Sequence, residues 1–155
     1  MSARESAGRE PGAWSRNAPI QAKLTYMGPQ EKPVASLVLY EGEAPPDEAL
    51  FRRHQSAGVD YSNDEAGNLR RARISPEERG AILDGLARAV PDTTVTPHRW
   101  AFVLVQTDLT GERALEWLLA DAECRKVVDA LAGALAADNA AARAALAAVP
   151  LEGGR

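Results

Sequence analysis

Leu69-Arg70-Arg71-Ala72-Arg73-Ile74, followed at once by Ser75-Pro76-Glu77-Glu78, is the stretch that decides the fold class. In its first part Arg71 and Arg73 fall on one side, and Arg70, Ala72 and Ile74 on the other. That period of two is the period of a strand. Ser75 then stands where a helix cap belongs. Pro76 fits the first helical position, where a missing N–H costs nothing, and Glu78 can complete a capping box with Ser75. The helix so opened carries Ile82, Leu83, Leu86, Ala87 and Val90 on one face. Pro91 and the Asp92-Thr93-Thr94 run end it. A strand that hands over directly to an amphipathic helix places both kinds of element in one unit.

Upstream, Val59 to Asn63 reads as a strand and Asp64 to Asn68 as a turn, with Gly67 supplying positive φ. Leu69 to Ile74 is then expected to return as the second arm of a hairpin. Earlier still, Ala22 to Met27 and Val34 to Tyr40 read as strands joined by the loop Gly28 to Pro33. The second of these is apolar on both sides, as a covered or central strand is. Pro45-Pro46 demands a loop, and Asp47 to His54 suits a short helical turn.

Downstream, Trp100 to Thr107 is the most apolar strand and is expected at the centre of the sheet. Asp108 to Gly111 turns the chain and Arg113 to Leu119 returns. Asp121 is expected to cap a helix with Cys124, Val127, Val128, Leu131 and Leu135 in phase. Asp138-Asn139 either breaks this helix or forms a polar step in a longer one, and the alanine-rich run to Val149 is helical by propensity. Residues 57–90 and 100–136 each read as a hairpin and then a capped helix, a structural rhyme without matching identities. The expectation is an α+β fold, order ββ-ββα-ββα(α), with a mainly antiparallel sheet of about six strands and two to three helices on one face. Residues 1–19 are expected as a flexible arm with Trp14 its one large apolar group, residues 20–149 as a single domain, and residues 150–155 as a frayed end.

Composition bounds the function. The chain has 155 residues, 45% hydrophobic and 26% charged, as globular domains do. Net charge of −4 disfavours a dedicated nucleic-acid binder, which needs a basic surface. One cysteine and two histidines are too few for a structural zinc site and rule out an internal disulfide. The start of the chain lacks the apolar core of a secretory signal, and no run reaches the length of a membrane span, so the cytoplasm is the default location and no membrane partner is expected.

Candidate chemistry is sparse. Asp60, Ser62 and Asp64 resemble a calcium loop only until Glu65 and Arg71 occupy positions that need glycine and glutamate. His54, Asp60 and the hydroxyls of Tyr61 and Ser62 are the residue types of a base, an orienter and a nucleophile, with Arg52 a further candidate, but no spacing forces them together and no nucleophile elbow is present. His98 reads as a strand-entry residue. Cys124 reads as a buried small hydrophobe ahead of a reactive thiol. Arg52-Arg53 and Arg70-Arg71-Arg73 are the basic clusters, and the strand arginines suit edge protection before they suit a polyanion. No phosphate loop, cofactor fingerprint or metal motif appears, and no cofactor is expected.

These readings favour a non-catalytic protein-interaction module, an adaptor, inhibitor or assembly subunit whose partner is another protein or a second copy. The alternatives are a small-ligand-binding domain or small enzyme built on His54 and Asp60, and a weak polyanion binder using Arg71 and Arg73, with nucleic acid disfavoured. Arg52, Arg53, His54, Asp60, Tyr61, Arg71 and Arg73 are the candidate binding residues.

Overall fold

The computed structural model describes residues 14–26, 35–43, 49, 51, 69–91, 98–109 and 111–149. They form an α+β fold with five strands and three regular helices among the described residues: β1 (Ile20–Tyr26), β2 (Ala35–Tyr40), β3 (Leu69–Arg73), α1 (Pro76–Ala89), β4 (Trp100–Asp108), β5 (Gly111–Leu119), α2 (Asp121–Ala134) and α3 (Ala140–Ala147). The sheet order is β3-β2-β1-β4-β5. Three neighbouring pairs are antiparallel and β2–β3 is parallel.

The sheet is mainly antiparallel, and the parallel pair corrects the expected order, in which Leu69 to Ile74 returned as an arm of an antiparallel hairpin. β3 lies beside β2, with Val38 opposite Arg71 and Tyr40 opposite Arg73. The long connection from residue 41 to residue 68 lets the chain re-enter at the same end of the sheet, as parallel pairing requires. The expected partner strand at 59–63 and its turn lie outside the described residues. The second unit of the expected rhyme, 100–136, is an antiparallel hairpin of β4 and β5 followed by α2, and the hairpin arm of the first lies outside the described residues. The strand over Trp100 to Thr107 is interior, as its apolar run implies: β4 sits between β1 and β5, with β1 the middle strand of the five.

The alternation of each strand sorts the sheet into two faces. One face presents Ile20, Ala22 and Leu24 of β1, Leu37 and Leu39 of β2, and Trp100, Phe102 and Leu104 of β4, all buried. Ile82, Leu83 and Leu86 of α1, Cys124, Val127 and Leu131 of α2, and Ala142 and Leu146 of α3 close over this face in one continuous core. The three helices thus lie on one face because each has one apolar stripe and the sheet supplies its partner.

The expected cap at Ser75 holds. Ser75 Oγ accepts from the Glu78 N–H at 3.1 Å, and Glu78 Oε1 accepts from the Ser75 N–H at 2.7 Å, a complete capping box. Asn139 breaks the last helical stretch in two and caps α3 by accepting from the Ala142 N–H at 3.2 Å. Asp121 does not cap α2. Ala120 holds the cap position, Glu123 Oε1 accepts from its N–H at 3.0 Å, and Asp121 Oδ1 instead accepts from Trp100 Nε1 at 2.9 Å. The buried indole N–H needs an acceptor, and Asp121 is the group the fold brings to it.

Candidate functional site

The second face of the sheet is unusual at its centre. β1 turns Gln21, Lys23 and Thr25 onto it, so the middle strand is polar where it is most covered. Lys23 is only 1% exposed, and its Nζ lies 5.5 Å from the ring centroid of Phe51. Thr25 Oγ1 and Ser36 Oγ approach to 3.3 Å between β1 and β2. Around them Val38, Val103, Val105 and Phe51 form a separate apolar cluster. The register sets Arg71, Val38, Lys23, Val103 and Glu116 in a single row across all five strands. Burying an ammonium is expensive unless it is partnered, so such a group marks either a structural network or a binding site. Gln21 Oε1 is buried with no hydrogen-bond partner among the described residues.

A polar clasp lies at the end of the sheet where β1 begins. Arg79 of α1 donates from Nε and Nη2 to the two oxygens of Glu41, at 2.8 and 2.7 Å, and from Nη1 to the Arg16 carbonyl. Glu41 Oε1 also accepts from the Ile20 N–H at 3.0 Å. Gln106 of β4 reads the chain on both sides, donating to the carbonyls of Ser15 and Ala18 and accepting from the Ser15 N–H. Arg16 pairs with Asp84 at 2.6 and 2.9 Å. Trp14 is buried in the main core. Residues 14–18 are thereby held on the body. The pairing and hydrogen bonds with Asp84 push the Arg16 guanidinium pKa up and the Asp84 carboxyl down.

The outer margin of the sheet is β5. It pairs along its full nine residues with β4 and has no strand on its other side among the described residues. Glu112 and Arg113 are exposed, Ala114, Leu115, Glu116 and Leu118 half-buried, and Trp117 and Leu119 buried. Trp117 stacks on Phe102 with centroids 5.6 Å apart, which fixes the strand to the core. The opposite margin, β3, is shorter and exposes Arg70, Arg71 and Arg73. Arg73 lies 3.6 Å from Glu43.

Of the expected site residues, Arg71 and Arg73 share the second face of β3 as their alternation implies, while Arg52, Arg53, His54, Asp60 and Tyr61 lie outside the described residues. His98 is half-buried at the entry to β4. Cys124 is fully buried. Burial first, and the charge of Asp121 second, push its thiol pKa far up, which is the opposite of an activated nucleophile. No group of three His, Cys, Asp or Glu side chains among the described residues is placed to hold a metal ion, and no helix among them is long and apolar enough to cross a membrane. An open groove between α1 and α2 is floored by Ala81, Gly85, Ala130 and Gly133 and rimmed by charges of both signs.

Lys23, Glu41, Arg79 and Gln106 are absent from the sequence expectations. The one local signal that could have pointed to Lys23 is the Gln21-x-Lys23-x-Thr25 alternation, and polar residues at that spacing do not by themselves distinguish a buried face from a solvated one. No family model matches this chain, and no curated protein or solved structure matches it either.

Proposed function

We propose that the chain is a non-catalytic protein-interaction module that receives an extended segment of its partner along β5. The observation that carries this reading is the β5 margin itself: a long, apolar-rich outer strand anchored to the core by Trp117 and Leu119. Natural proteins shield such margins with short strands, lysines, prolines or bulges, and an unshielded one is a template for strand addition. β3 is short and carries three arginines, whereas the charges of β5 lie mostly in its first half, at Glu112 and Arg113, and its second half, Leu115 to Leu119, is apolar apart from Glu116. The structured charges support the same reading. Glu78, Glu41, Arg79, Arg16 and Asp84 are engaged in holding segments together.

The test is recovery of a partner on the immobilised chain, followed by Leu115→Lys and by amide hydrogen exchange. Slower exchange along β5 in the complex, with binding lost in Leu115→Lys, is expected. A partner that binds Leu115→Lys equally and leaves β5 exchange unchanged refutes it.

A second reading, a small-ligand site, has the buried Lys23 beside the Thr25 and Ser36 hydroxyls in its favour. Thermal shifts with small anions that vanish in Lys23→Met are its signature. Polyanion binding has the exposed Arg70, Arg71 and Arg73 on its side and the net charge of −4 against it. Binding at low salt that collapses steeply as salt rises is what it requires.

A further inference from the structure

We infer that the strand added to β5 is the β5 of a second copy, paired antiparallel about a two-fold axis at Leu115, so that two sheets join into one. This rests on the reading of β5 as the docking margin, and goes further by naming the occupant and its register.

Antiparallel pairing of two identical strands in one sheet places opposite residues on the same face. Only registers centred on a residue satisfy this for a strand meeting itself. Centring on Ala114 sets Glu112 against Glu116. Centring on Glu112, Arg113 or Glu116 sets that charge against itself. Each of these is destabilised by like charges directly opposite. Centring on Leu115 avoids all of them. It sets Leu115 against Leu115, Ala114 against Glu116, Glu112 against Leu118, and Arg113 against Trp117, so that no two like charges meet.

Leu115 is also the midpoint of Gly111–Leu119, so this register pairs the strand over its entire length. Registers centred on Trp117 or Leu118 avoid like charges too, but pair only the last few residues. The longest register is therefore also one free of charge conflict. Symmetric self-pairing of this kind is an isologous contact that closes as a dimer and leaves no further β5 margin to propagate. The stacking of Trp117 on Phe102 and the burial of Leu119 hold the strand ready, which lowers the ordering cost of association.

The experiment is molecular mass by light scattering across a concentration series, on the full chain, on Leu115→Lys and on Leu115→Cys. A mass rising towards twice 16.6 kDa is expected for the unmodified chain. Leu115→Lys, which sets two ammonium groups face to face, is expected to remain monomeric with an unchanged far-UV spectrum. Leu115→Cys is expected to form a reducible cross-linked dimer under mild oxidation, because self-opposed residues bring the two thiols within bridging reach. Ala114→Cys, opposite Glu116 in this register, is expected not to. Buried Cys124 does not compete.

A monomer at every concentration overturns the second copy as occupant while leaving β5 open to another protein's strand, which the exchange experiment above decides separately. A dimer that survives Leu115→Lys, or cross-links through Ala114→Cys instead, overturns the register and the surface. If Leu115→Lys does not fold, the paired cysteine variants decide alone.

Discussion

Arg79 and Glu41 form a two-pronged ion pair, 2.8 and 2.7 Å, between the first turn of α1 and the residue that follows β2, with both side chains under one-tenth exposed. The pair also fixes the N-terminal segment, since Glu41 accepts from Ile20 and Arg79 donates to Arg16. Removing one partner strands the other charge where water cannot solvate it. Arg79→Ala is expected to cost roughly 3 kcal/mol in urea denaturation, as broken buried pairs do. Glu41→Leu with Arg79→Met is expected to lose less than the sum of the two single changes, because neither charge is then left alone. Strict additivity of the two would show that the pair contributes nothing.

Trp14 is 3% exposed within the main core, and Gln106 secures the residues after it. Trp14→Ala is expected to destabilise the fold by about 3–5 kcal/mol, the range for large-to-small aromatic truncation. A melting temperature unchanged by that substitution would show that residues 14–18 rest on the body without stabilising it.

Glu78 gives the fold an acid-sensitive joint. Burial pulls its pKa up, but hydrogen bonds from the Ala136 and Ser75 N–H groups and from Asn139 outweigh that and hold it below the ordinary carboxylate range. A carboxyl whose folded pKa is depressed contributes stability that is fully present above its unfolded pKa, about 4.3, and lost as pH falls through the folded value. Glu78→Gln is expected to be less stable than the unmodified chain at neutral pH and to show a shallower fall below pH ~4.3. Parallel pH profiles for the two proteins would remove Glu78 from the acid response.

Two glycines are expected to respond in opposite directions to alanine. Gly111 follows the two-residue β4–β5 turn with φ +132, a conformation L side chains rarely adopt. Gly111→Ala is expected to cost about 1–3 kcal/mol. Gly133 lies in α2 with open space where a Cβ would project. Gly133→Ala is expected to stabilise by about 0.5–1 kcal/mol, by restricting the unfolded chain and raising helix propensity. Thermal melts of the two single variants check both signs.

Cys124 is expected to resist alkylation in the native protein and to react once the protein is unfolded, so labelling tracks global opening. Rapid labelling under native conditions would show local opening at the start of α2.

The sequence by itself determined what depends on near neighbours. The capping box of Ser75 and Glu78, the strand character of β1, β2, β4 and β5, the turn at Gly111 and the apolar stripes of α1 and α2 are all set within a few residues, where propensity and periodicity act. It also placed Arg71 and Arg73 on one face of β3, because alternation alone decides that. Only the tertiary structure decided which strand β3 joins, since a parallel neighbour and an antiparallel one ask for the same local pattern. It decided that Asp121 serves Trp100 rather than its own helix, and that Lys23 is buried rather than solvated. It decided that Glu41 meets Arg79 and that Gln106 meets Ser15, because the hydrogen bonds of a buried polar group are closed by whichever distant segment the fold brings within reach. The β5 margin belongs to the same class: its return from the turn at Gly111 was legible, but being outermost among the described strands is a property of sheet order, which no local pattern encodes.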